Sequence, residues 1–225
     1  MKKLILICTC LTFTLITKAQ TEDHKWNIGL HGGATQYKGD LGNDFYKTDM
    51  AFYGVGGLSV SRYLSSHFSV NFLASKGTVG YSRPNGNFSN QFTSALLNFR
   101  FNILGPKSVV RPYIFVGGGA MLFDKNLTIT GSNVDFIAPS FGAGINFRLS
   151  PVVTLNFQET FMYSNEDKRD KVIAGENDTY LMHTAGLTFS FGKKKDEDKD
   201  GVNDRNDKCP NTPSMVAVDK NGCPL

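Results

Sequence analysis

Five aspartates near the C-terminus carry the spacing of ligands for a hard cation: Asp196, Asp198, Asp200, Asp204 and Asp207. Counted from Asp196, their oxygens fall at positions one, three, five, nine and twelve, and Gly201 takes position six, where a calcium loop turns sharply. The main-chain carbonyl of Val202 falls at position seven, and Asp207 stands where a glutamate is usual. Calcium takes six to eight oxygen ligands, and no other stretch of this chain concentrates carboxylates to that degree. A strand-like segment precedes the run and Cys209-Pro210 follows it, so the flanking helices of a helix–loop–helix calcium domain are not expected. The spacing therefore predicts an irregular loop that binds calcium. The alternative is a solvated acidic linker that binds nothing tightly.

Other chemistry is sparse. The histidines are His24, His31, His67 and His183, and no serine stands at a matching spacing on the face that carries His183. No catalytic site is expected. Arg100 and Arg148 lie on the polar faces of two strand-like segments, with no acidic neighbour on those faces. They are expected to fill an interior more than to line an anion path. The net charge of +4 is mild and forms no basic stripe, which argues against nucleic acid as a partner.

Residues 1–19 read as a secretory signal peptide. Lys2 and Lys3 precede an apolar run from Leu4 to Ile16, and Thr17-Lys18-Ala19 makes a small-x-small cleavage site. Cys8 and Cys10 lie within that segment, so the mature chain keeps Cys209 and Cys223. In an exported protein, two cysteines most simply form one disulfide. No later stretch approaches ~18 consecutive apolar residues, so a membrane span must rest on strands.

The strands are legible from alternation. In Thr179 to Gly192, Leu181, His183, Ala185, Leu187, Phe189 and Phe191 share one face, and Met182, Thr184, Gly186, Thr188 and Ser190 share the other. Leu97, Phe99, Phe101 and Ile103 likewise oppose Asn98, Arg100 and Asn102. Eight such segments are expected: 25–36, 52–63, 68–75, 92–103, 112–123, 141–149, 153–163 and 179–192. The second is expected to hold a bulge within Gly54 to Gly57. The fifth has two apolar faces and cannot be oriented. Connections after the second, fourth and sixth segments read as short and the others as long, as in a membrane barrel with periplasmic turns and external loops. The larger apolar face points outward, inverted from a soluble ligand-binding barrel, and Glu159 is the one departure, expected at the outer rim. The fold class expected is all-β: an eight-stranded antiparallel transmembrane barrel over 20–192, then an irregular Asp-rich tail over 193–225.

Four stretches extend this reading by resemblance. Gln36-Tyr37-Lys38-Gly39-Asp40-Leu41 and Arg111-Pro112-Tyr113-Ile114-Phe115-Val116-Gly117-Gly118-Gly119 resemble segments of OmpA-type outer-membrane barrels of Bacteroidetes-like bacteria. Thr184-x-Gly186-x-x-Phe189-x-Phe191 resembles the C-terminal strand signal read by barrel-assembly machinery. Asp196 to Pro224, with Cys209-Pro210-Asn211-Thr212-Pro213 and Asp219-x-x-Gly222-Cys223-Pro224, resembles a thrombospondin type 3 repeat. These resemblances imply a non-enzymatic structural or anchoring barrel in outer-membrane lipid, with a calcium-stiffened tail in the periplasm. Adhesion through the outer loops is the alternative, and a narrow pore a weaker one. In such proteins the repeat leads to a peptidoglycan-binding domain. The sequence ends at Leu225, so the expectation is either a truncated product or wall contact supplied by a periplasmic partner.

Overall fold

In a computed structural model, residues 24–40, 45–46, 53–83, 86–124, 133–167, 169–170, 172, 175, 177–192, 196–204, 206–213 and 215–225 are described. The expected signal peptide lies outside them. Eight strands follow in chain order: β1 Trp26–Lys38, β2 Tyr53–Tyr63, β3 Phe68–Arg83, β4 Gly86–Asn102, β5 Val110–Phe123, β6 Val134–Arg148, β7 Val153–Ser164 and β8 Thr179–Phe191. They close into one antiparallel barrel in which sequence neighbours pair. Local contacts of this kind are what an alternating sequence with turn residues at regular intervals favours.

Alternation sorts the wall as the sequence predicts. Leu30, Leu58 and Phe99 point outward and are about 60% exposed (63%, 59% and 57%), while Ser59, Asn98 and Asn71 point inward and are buried. Strand β5 now has an orientation: Ile114 and Val116 face out, and Arg111, Tyr113 and Phe115 face in.

Three expectations are corrected. First, β3 and β4 extend far beyond the reading, pairing without interruption from Phe68↔Phe101 to Arg83↔Gly86. The connection expected to be a long loop over 76–90 is mostly hairpin, with only residues 84 and 85 between the strands. The polar run Lys76-Gly77-Thr78 hides this, although Val79, Tyr81, Phe88 and Phe92 still alternate inward.

Second, no bulge interrupts β2. Both of its registers run unbroken through Gly54–Gly57 on the β1 side and Val55–Gly57 on the β3 side. The irregularity lies in β6, where the register shifts between Ile137 and Ser140 against both neighbouring strands. Ala138 and Pro139 occupy the extra positions, where proline's missing N–H removes no ladder bond. The bulge reverses the inward parity from Ile137 to Ser140, so alternation over Val134–Arg148 breaks and only its second half reads as a strand. On the opposite strand, a Cβ on Gly119 would stand 1.9 Å from the carbonyl oxygen of Ala95, and one on Gly117 2.0 Å from that of Leu97. These glycines let β4 and β5 approach where the wall bends.

Third, the interior is polar only in part. The half near the short connections holds Asn27, Ser61, Asn71, Asn98, Arg100 and Asn156. The half near the long connections is a packed apolar core of Tyr37, Phe88, Phe92, Leu96, Met121, Phe123, Met182 and Tyr180, all at most 8% exposed. Tyr37 meets Phe88 edge to face with centroids 4.8 Å apart, and Phe123 and Tyr180 lie 6.0 Å apart. Much of this core comes from the hairpin read as a loop and from the strand that could not be oriented.

Residues up to Ser190 form one compact unit and Phe191–Leu225 a second. The second has little regular structure: one bridge pairs Val218 with Pro224, and a disulfide joins Cys209 to Cys223, whose Cα atoms are 5.1 Å apart. Thr212 ties the two cysteine segments further, its hydroxyl lying 2.9 Å from the carbonyl of Cys209 and 2.8 Å from that of Gly222.

Candidate functional sites

In the tail, main-chain turns are held by aspartate side chains. Asp196 Oδ1 accepts from the Lys199 amide at 2.9 Å, and Asp200 Oδ1 from the Val202 amide at 2.7 Å. Asp198 Oδ2 accepts from Asn211 at 3.0 Å and Thr212 at 2.8 Å, which pins the aspartate loop to the cysteine segment. Asp204 Oδ1 accepts from the Glu197 amide at 2.8 Å, and Asp207 Oδ1 from the Cys209 amide at 2.8 Å. Gly201 adopts φ of 96°, the left-handed turn that position six of a calcium loop requires.

These turns bring together carboxylate oxygens of Asp196, Asp198 and Asp200 within 4.8 Å of one another. Asp204 and Asp207 share a cavity of about 220 Å³ with Asp198. Gly222 (φ 80°) fits closely here, since a Cβ would lie 2.1 Å from Asp207 Oδ1 and 3.0 Å from Asp200 Oδ2. That Asp200 Oδ2 is buried and lacks any hydrogen-bond partner. A desolvated carboxylate oxygen without a donor is costly, and a divalent cation is a fitting partner for it. Val202 is placed by the hydrogen bond that its amide donates to Asp200 Oδ1, and its carbonyl as a ligand remains an expectation.

Two tail carboxylates, Asp198 and Asp219, are held in their ionised form by amide donors. For Asp198, partial loss of water raises the pKa, but amide donors from Asp200, Thr212 and Asn211 outweigh it and hold the group below the usual carboxylate range. The Cys223 and Asn221 amides do the same for Asp219. A pKa lowered in the folded state stabilises the fold above the unfolded value near ~3.9 and is lost as pH falls through the lower folded value. Amide resonances of Asn211, Thr212 and Cys223 should therefore stay constant from pH 7 down to about 4.5 and shift only below about pH 4. A midpoint above 5 in a pH series of amide spectra would contradict this.

In the barrel, Arg100 is held by neutral acceptors, with no acidic partner among the described residues. Its Nη2 donates to Asn71 Oδ1 at 2.9 Å and Gln158 Oε1 at 2.7 Å, and its guanidinium lies 4.8 Å from the centre of the Tyr113 ring. Arg148 donates to the carbonyls of Pro106 at 3.0 Å and Lys107 at 2.7 Å. Two arginines escape the sequence reading. Arg111 is buried on the strand that could not be oriented, and Arg169 comes from the charged connection after β7. Arg169 is 1% exposed and binds Asp135 through Nη2 and, at 2.9 Å, through Nε; it also lies 4.3 Å over the ring of Phe123. Tyr180 donates its hydroxyl to the other Asp135 oxygen at 2.8 Å, and the Arg169 amide donates to Asp178 Oδ2 at 3.0 Å. Tyr37 closes the cluster by bonding Asp178. No signal of periodicity marks a loop arginine that folds back into a barrel.

On the outer wall, Glu159 is not isolated. Its Oε1 lies 3.3 Å from His183 Nδ1 across the β7–β8 pair, and Tyr46 donates its hydroxyl to it. His183 Nε2 lies 3.3 Å from Gln36 Oε1. The residues so gathered include no serine or cysteine nucleophile, and the ring nitrogens of His183 both face partners.

The profile of the family described as "Outer membrane protein beta-barrel domain" matches residues 5–192. Outer membrane porin F of Pseudomonas aeruginosa is 34% identical over 131 residues, a match covering 51% of this chain and 35% of porin F, so the chain spans about a third of that relative. Among solved structures, the N-terminal β-barrel domain of Pseudomonas aeruginosa OprF is similar at 14% identity and a TM-score of 0.45, covering 73% of this chain and 97% of that one. Ail, the attachment invasion locus protein of Yersinia pestis, is similar at 16% identity and a TM-score of 0.47, covering 75% and 99%. With the family profile spanning all eight strands of a closed barrel whose outer wall is apolar, the chain belongs to the outer-membrane β-barrel domain family, and its barrel is an outer-membrane barrel.

Proposed function

We propose that this chain is a structural, non-enzymatic outer-membrane barrel whose tail is a calcium-binding spacer on the periplasmic side. The observation that carries the structural reading is the filled interior. Phe92, Leu96, Met121, Met162, Tyr180 and Met182 are fully buried across the half near the long connections, with Arg169 and Asp135 packed against them. An eight-strand barrel is just wide enough for side chains to fill, and this one is filled. Single-channel recording of the full mature chain in planar bilayers should show no stable conductance, and Arg100→Ala should leave it closed. A reproducible ohmic step abolished or enlarged by Arg100→Ala would favour the pore instead.

In the tail, Asp196, Asp198, Asp200, Asp204 and Asp207, with the Val202 carbonyl, would hold the ion. Bound calcium would neutralise the clustered carboxylates and stiffen the segment as a spacer. Membership in this family favours folding by the barrel-assembly machinery. The thrombospondin type 3 pattern supports this reading through the Cys209–Cys223 bond and the pinning of Asp198 to Asn211 and Thr212.

A second reading is adhesion through the connections after β5 and β7. One observation favours it: Arg169 and Asp178 tie part of the β7–β8 connection into the barrel mouth. Deleting that connection would abolish cell attachment on this reading and leave it unchanged on the first.

A further inference from the structure

The two ends of the barrel interior treat buried arginine differently. At the long-connection end, Arg169 is matched by Asp135. At the other end, the buried Arg100 of β4 and Arg111 of β5 and the half-buried Arg148 of β6 line one cavity together with Asn27, Ser61 and Thr188, and no aspartate or glutamate lines it. Guanidinium stays protonated in any protein setting, so the three charges cannot be relieved by losing a proton. Arg100 and Arg148 find neutral acceptors, but the Nε of each is buried and unpartnered. Arg111 is 5% exposed and makes no hydrogen bond or ion pair among the described residues. Gathering like charges in one partly desolvated space without a counter-charge is unfavourable, and a bound anion would offset that cost.

We propose that this cavity is an anion-binding site, with Arg111 as its principal ligand, and that it takes one small inorganic anion of chloride size. The cavity volume of about 20 Å³ sets that limit. A single water needs roughly 10–15 Å³ measured the same way, so one monatomic ion fits and a phosphorylated metabolite does not. The site is a counter-ion site within a filled wall, independent of the tail and of any conducting path. It supplies at this end the negative charge that Asp135 supplies at the other.

The test uses the full mature chain, refolded in zwitterionic detergent at constant ionic strength, with chloride exchanged stepwise for gluconate, which is too large to enter. The thermal transition of the wild type should fall by several degrees as chloride is removed, with a saturable dependence. Arg111→Gln should lose that dependence, and Arg111→Lys, which keeps the charge, should retain part of it. Bromide-soaked wild-type crystals should show an anomalous peak in contact with Arg111, a readout that survives even if Arg111→Gln fails to fold. Identical transitions in chloride and gluconate, an unchanged dependence in Arg111→Gln, or bromide only on the outer surface (an adventitious ion only) would each overturn the proposal.

Discussion

Replacing Asp135 by alanine is expected to destabilise the barrel by about 3–5 kcal/mol, the usual consequence of removing one partner from a buried ion pair. Asp135 is fully buried, and both of its oxygens are used: one by Arg169 and the other by the Tyr180 hydroxyl at 2.8 Å. Alanine removes the Asp135 carboxylate from the Arg169 guanidinium, which lies over the ring of Phe123. The double variant Asp135→Ala/Arg169→Met should recover most of the loss, because a well-packed apolar pair replaces a buried ionic one at little net cost. Denaturant unfolding in detergent micelles measures both. A loss below about 1 kcal/mol for Asp135→Ala would mean that water reaches Arg169 and that the mouth is not sealed.

The second large effect concerns the tail. Cys209 and Cys223 are separated by 14 positions, and closing a loop of that length removes about 3 kcal/mol of unfolded-chain entropy in the loop-closure model. The bond holds the segment whose Asn211 and Thr212 amides orient Asp198. Without it, calcium binding must itself order that segment. The variant Cys209→Ser/Cys223→Ser should bind calcium about 100-fold more weakly than the oxidised wild type, the affinity equivalent of that entropy. Calorimetry on both proteins gives the ratio. Affinities within threefold would show that the aspartate loop is organised without the disulfide.

How far the sequence carries this account depends on whether side-chain alternation survives locally. It does for Leu97 to Asn102 and for Leu181 to Phe191, where neighbouring strands pair without shifts, so orientation, face and order are all readable. It fails around Ala138 and Pro139, where a bulge reverses parity and conceals half of β6. It fails again at Lys76-Gly77-Thr78, where polar residues continue a strand because the partner Gln91–Phe92–Thr93 continues beside them. Those two losses hide most of the aromatic interior, so the alternation that remains predicts a polar lumen. Arg111 falls just before the expected fifth segment, which starts at Pro112, and its place on β5 carries no periodic mark. Arg169 was hidden because long-range charge pairing leaves no periodic mark. In the tail, the gathering of Asp196, Asp198 and Asp200 is readable, since spacing within one loop is a local property. What spacing does not convey is the buried, unpartnered oxygen of Asp200, which depends on Gly222 closing over it from outside the motif.

The most direct test of the proposed calcium spacer is a calorimetric calcium titration of the oxidised, full-length mature chain in detergent, beside the Asp200→Ala variant. The account predicts saturable binding in the wild type and its loss in Asp200→Ala, with the barrel's thermal transition unchanged. Absence of binding up to several millimolar calcium, or equal binding by Asp200→Ala, would contradict it and leave the tail as a plain acidic linker.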